Sequence, residues 1–194
     1  MKPLKESPSQ TAGPYVHIGC KPITAGLEQR HFGKELGTEL IQADNTGDGS
    51  FNEKAQEKFT IELRILDGQN DLVKDALVEI WQANPDGSYT PSKEFNGWGR
   101  QSTDLKTGLV QFETVKPGKT SAESAPHILV WIAARGINLA LVTRIYFSDE
   151  DNAQDPVLAL AGERANTLIA KKTDKGYEHT IHLQGENETV FFDV

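Results

Sequence analysis

The chain has 194 residues with 28 acidic against 20 basic side chains and a net charge of −8. That balance argues against nucleic acid or an anionic membrane surface as partner, while leaving room for a local basic pocket. Hydrophobic residues make up 37% and charged residues 25%, which excludes a disordered or fibrous chain and allows one domain with a substantial core, or a domain plus an arm.

In chain order, the polar start MKPLKESPSQ lacks the apolar centre of a secretory signal. No apolar run approaches the roughly 18 residues of a membrane span. Cys20 is the only cysteine and cannot form an internal disulfide, so the expected location is the reducing cytoplasm. Residues 1–22 carry Pro3, Pro8, Pro14 and Pro22 and read as an extended arm, with a short strand possible over 13–19. Residues 24–40 hold three glycines and are at most weakly helical; residues 42–57 are a polar loop. The DNTGDGSFNE within that loop lacks the alternating acidic register and closing bidentate acid of a calcium loop.

From residue 58 the texture changes to period-2 alternation. KFTIELRILD (58–67) puts Phe59, Ile61, Leu63 and Ile65 on one face, and ALVEIWQA (76–83) alternates again. Strands are expected next over 108–115, 127–134, 139–147, 177–184 and 188–194, with turn residues between them. One amphipathic stretch, 156–170, reads as a helix opening at Pro156. The expected fold is all-β, an antiparallel β-sandwich with an extended N-terminal arm and one short helix. The expected division is 1–57 for the arm and irregular segment and 58–194 for the sandwich domain.

Several segments carry a more specific signal: SPSQTAGPYVHIG (7–19), VEIWQAN (78–84), GWGRQSTD (97–104), TVKPG (114–118), APHI (125–128), ARGIN (134–138), TRIYF (143–147) and GENETVFFDV (185–194). Together, and in that order, they resemble the intradiol ring-cleaving dioxygenases, over nearly the whole chain. The resemblance implies a reaction in which catechol and O2 meet at Fe(III), a hard ion suited to phenolate ligands. The iron is held by two tyrosines and two histidines.

Matched to that ligand pattern, the first tyrosine is Tyr89 in WQANPDGSY, and the first histidine is His127. The second tyrosine position, after KPG, holds Thr120; the second histidine, two residues on, is Leu129; and the arginine expected just before is Ser124. Tyr89 and His127 are thus vestigial, and no iron is expected on this chain. Arg144 stands where catalytic chains tend to carry an uncharged amide, a cation that would repel Fe(III) further.

This departure resembles the alpha chains of the two-chain members of the family. Their beta subunit carries Fe(III), and their own arm and one arginine complete its substrate pocket. Carried over by motif, the substrate-binding residues are Thr11, Gly13 and Pro14 in QTAGPY and Arg135 in ARGIN, with no catalytic residue on this chain alone. Glycine lets backbone approach a ligand closely and proline holds it rigid, although such a dipeptide also marks any ordinary turn, and Thr11 could simply cap the arm's backbone. Arg135, at a strand end, suits a substrate carboxylate as in protocatechuate; the alternative is a solvated surface arginine.

Trp81, Trp98 and Trp131 read as core and interface aromatics, and Tyr89 and His127 as buried, hydrogen-bonded remnants of a former site. Two other readings stay open: a self-sufficient intradiol dioxygenase, which needs the four ligands, and a non-enzymatic sandwich binding module, which would have no reason to carry both the arm motif and ARGIN.

Overall fold

The computed structural model describes residues 12, 13, 15–21, 58–90 and 95–193. The expected weak helix at 24–40, the polar loop at 42–57, and residues Thr11 and Pro14 lie outside them. Eight strands carry the fold: β1 (Lys58–Leu66), β2 (Leu77–Gln82), β3 (Trp98–Ser102), β4 (Leu109–Val115), β5 (His127–Ala133), β6 (Leu141–Phe147), β7 (Ile169–Thr173) and β8 (Gly176–His182). They form one sheet in the order β3-β2-β5-β6-β7-β8-β1-β4.

The all-β expectation holds, but the sheet is mixed rather than purely antiparallel. β1 runs parallel to β8, and β6 runs parallel to β7 through Tyr146–Ile169 and Phe147–Ala170. The sheet rolls until its two ends approach: Gln82 on β2, the neighbour of edge strand β3, donates to the Val115 carbonyl of edge strand β4 at 2.7 Å and accepts from Thr114 at 2.8 Å. The near-closed shape follows from a sheet whose inner face is apolar on all strands but β3. Ile61, Leu63 and Ile65 of β1 meet Val78 and Ile80, Ile128, Val130 and Ile132, and Ile145 and Phe147 in one buried cluster. Burying that much apolar surface on one side leaves an open flat sheet no stable alternative.

Three elements differ from expectation. Residues 16–20 form a short helix, α1 (Val16–Cys20), in the arm where a short strand over 13–19 is possible from sequence; among the described arm residues, Ala12 makes a strand-like bridge, to Arg135. The helix expected over 156–170 is divided into α2 (Pro156–Leu160), a 3-10 helix (Gly162–Leu168) and then β7. Gly162 in a left-handed conformation (φ 55°) ends α2. Beyond it, Ile169 extends its backbone and joins the sheet, so tertiary pairing overrides helical periodicity. Finally, the strand expected over 188–194 is absent from 188–193. Phe192 N–H donates to the Val142 carbonyl and Thr189 N–H to the His182 carbonyl, without a ladder.

A second, smaller core packs α2 and the 3-10 helix over one end of the sheet's outer face. Ala125, Tyr146, Leu158, Ala161 and Leu168 build it. Asp155 holds it together from a position only 2% exposed. Its carboxylate caps α2 through Val157 N and Leu158 N, and also accepts from Ala125 N and Tyr146 Oη, each within 3 Å. Burial alone would raise the Asp155 pKa, but these donors hold it below the usual carboxylate value.

Candidate functional site

The vestigial residues gather on the outer face of β2, β5 and β6. Alternation puts His127, Leu129 and Trp131 of β5 on that face. Register places His127 opposite Tyr146, and Leu129 between Trp81 and Arg144. Tyr89, in the turn after β2, tilts its ring over Trp81 with centroids 6.5 Å apart. Sequence matching therefore found a cluster that is contiguous in space.

Its chemistry is not that of a complete metal site. His127 is buried at 5% exposure, and its Nδ1 lies 2.9 Å from the Ala125 carbonyl. A carbonyl only accepts, so Nδ1 carries the proton and Nε2 is the free lone pair. The anchoring is firm because Asp155 fixes Ala125 N–H in turn. One good metal donor is thus preorganised, but its companions are not donors of that kind. Thr120 and Ser124 are occupied with each other: their hydroxyls are 3.1 Å apart, and Ser124 Oγ also accepts from the Thr120 and Ser121 amides. Leu129 offers nothing.

Tyr89 is 42% exposed, so the expectation that it is a buried phenol is corrected. It lies in the turn after β2 rather than within a strand as His127 does. Partial burial raises its pKa and the nearby Arg144 charge opposes that rise. Burial lowers the His127 pKa, opposed by the hydrogen bond to Ala125, and the same cation adds to the lowering. Arg144 therefore acts on both vestigial donors, as a positive charge in the neighbourhood where a metal's charge would sit. Among the described residues no group of three His, Cys, Asp or Glu side chains is placed to hold a metal. The donor set does not fit a ferric ion, which needs several anionic or imidazole ligands at once.

The three tryptophans are not core. Trp81 and Trp131 are 47% and 36% exposed, and Trp98 is half-buried. With Leu129, Val142 and Glu79, which pairs with Arg100, they line an open, largely apolar concavity of about 430 Å³. Contiguous exposed aromatics of this kind mark interaction surfaces.

Arg135 and the arm lie elsewhere. β5 runs from His127 to Ala133, so at ~3.3 Å per residue about 20 Å of strand separates the vestigial histidine from the start of the arginine turn. There Ala12 pairs with Arg135 in a parallel bridge, and Ala12 N–H donates to the Ile137 carbonyl at 3.4 Å. The structure thus brings Arg135 and Gly13 close in the fold. Arg135 is exposed. A Cβ built at Gly13 would meet nothing within 4 Å, so no contact within the described residues of this chain demands glycine there. Sequence reasoning missed Asp155, although an acid directly before Pro156 is a recognisable helix start, and it missed the role of Ile137 in tying down the arm.

The chain belongs to the dioxygenase family, whose model matches residues 28–185. It is 40% identical to the protocatechuate 3,4-dioxygenase alpha chain of Pseudomonas putida, over 98% of this chain and 97% of the relative. It is 30% identical to the protocatechuate 3,4-dioxygenase beta chain of Burkholderia cepacia, over 69% and 67% respectively. Among solved structures it shares the fold of the dioxygenase domain of a dioxygenase–carbohydrate-binding protein fusion from Streptomyces sp. SirexAA-E, with a TM-score of 0.51, 22% identity and coverage of 75% and 84%.

Proposed function

We propose that this chain is the alpha subunit of a protocatechuate 3,4-dioxygenase, working with a beta subunit that holds Fe(III) and cleaves protocatechuate with O2 to 3-carboxy-cis,cis-muconate. The observation that carries the reading is the separation along β5. The residues that match a substrate pocket, Gly13 and Arg135, sit at the end of the strand away from the vestigial donors. A pocket element remote from its own chain's degenerate site serves a site on another chain.

In that assembly the beta subunit's iron supplies the oxygen chemistry. This chain contributes binding and exclusion. Arg135 grips the substrate carboxylate through charge-assisted hydrogen bonds. Thr11, Gly13 and Pro14 close the pocket, with Gly13 leaving room for backbone to approach a ligand. In this reading the chain divides into an N-terminal arm and irregular segment, 1–57, and a folded scaffold, 58–194. No helix of the described residues is long and apolar enough to cross a membrane, and with a lone Cys20 the cytoplasm is the location that suits the chain.

The tryptophan concavity supports obligate assembly, since an obligate interface typically buries roughly 2,000 Å² or more. Co-expressed with its beta chain, this chain is expected to co-purify as a tight complex and to be poorly soluble without it. A stable, soluble monomer that ignores the beta chain would contradict the reading.

A further inference from the structure

We infer that Gly136 and Ile137 are positioning residues: the turn they form couples the docking of the N-terminal arm to the orientation of Arg135. The inference rests on the carboxylate role proposed for Arg135 and adds the device that sets it. Ile137 N–H donates to the Ala134 carbonyl at 3.1 Å, which closes a four-residue turn with Arg135 and Gly136 at its centre. Gly136 has φ 88°, and Arg135 is not among the residues with positive φ. A positive φ at the third position alone defines a type II turn, where glycine is the residue of choice.

Nothing lies within 4 Å of a Cβ built on Gly136. The requirement for glycine is therefore conformational and not steric, so a substitution perturbs the turn without forcing neighbours apart. Ile137 then packs its half-buried side chain against the main core cluster while its carbonyl receives the Ala12 amide. One residue thus anchors the turn inward and the arm outward. Arg135, between the Ala12 bridge and Gly136, has its backbone fixed from both sides. Arm and arginine move as one unit, so a pocket built from both is assembled in a single docking step.

The test uses the co-expressed complex carrying Gly136→Val, Gly136→Asn or Arg135→Ala. Two readouts are taken: hydrogen exchange of the Ala12 amide, and KM and kcat for protocatechuate against unsubstituted catechol. A β-branched residue in the left-handed region is disfavoured by roughly 5- to 30-fold in population, whereas asparagine tolerates it. Gly136→Val is therefore expected to speed Ala12 exchange and to raise KM for protocatechuate by about tenfold, with kcat and the constants for catechol little changed. Gly136→Asn is expected to restore most of both. Unchanged Ala12 exchange in Gly136→Val overturns the inference, as does release of the arm with the protocatechuate-to-catechol ratio unaltered while Arg135→Ala still alters it. If Arg135→Ala itself fails to discriminate the two substrates, the carboxylate role is what falls, and Ala12 exchange alone decides whether the turn holds the arm.

Discussion

Replacing Arg135 with alanine in the assembled enzyme is expected to lower kcat/KM for protocatechuate by about 1.5–3 kcal/mol, roughly 10- to 150-fold, with iron content unchanged. The magnitude follows from losing a hydrogen bond between a guanidinium and a carboxylate, which is worth about twice a neutral one. Iron is untouched because its ligands belong to the beta subunit and Arg135 is not among them. Catechol has no carboxylate and loses much less, so the ratio of the two specificity constants is the quantity to measure. A small loss that shrinks further with added salt would mean that Arg135 only steers substrate from the rim. Equal losses for both substrates would reduce it to a support of pocket shape or interface.

The second large effect is on stability and comes from His179. Its side chain is 7% exposed on the inner face of β8, and its Nε2 has no hydrogen-bond partner. Burial lowers its pKa from 6.5 to about 4, helped by the nearby His182 and opposed by a hydrogen bond to Ile169. The folded pKa is depressed, so the unfolded chain takes up the proton first as pH falls. Stability is complete above 6.5 and drains away between 6.5 and about 4. Over that window the loss is about 3 kcal/mol.

The carboxylates Asp149 and Asp155 do not produce the same window. Burial alone would raise the Asp149 pKa, but hydrogen bonds from Lys172, Lys116 and Tyr177 hold it well below its ordinary 3.8, and Asp155 is likewise lowered. Their contributions are lost only below about that ordinary value. Unfolding of the complex across pH 4–7 is expected to show the steep loss, and His179→Leu to flatten it. An unchanged slope in His179→Leu would mean that another group carries the acid sensitivity.

Much of this was legible in the sequence because alternation reports burial directly. In β1, Ile61, Leu63 and Ile65 announce both the strand and its inner face, and they are fully buried. β3 and β7 were missed for opposite reasons. GWGRQSTD has too few apolar residues to alternate visibly, and its strand is stabilised by pairing with β2. IAKKT closes a segment whose helical periodicity is real but is outweighed by parallel pairing with β6 and antiparallel pairing with β8. The parallel pairings were invisible because pattern reports faces and not strand direction. At the site, the motif spacing singled out Tyr89, His127, Leu129 and Arg135, but it could not reveal that the last lies a strand's length from His127. Nor could it reveal that Trp81 and Trp131 face outward, since an aromatic in an alternating run is equally consistent with either face.

The most direct measurement of the central claim is iron per alpha–beta pair in the co-purified complex, followed by separation of the chains. The account predicts one iron per pair, all of it lost with the beta chain, and none of the visible tyrosinate-to-iron absorption in this chain alone. Two irons per pair, or tightly bound Fe(III) on this chain, would contradict the argument from Thr120, Leu129 and Arg144.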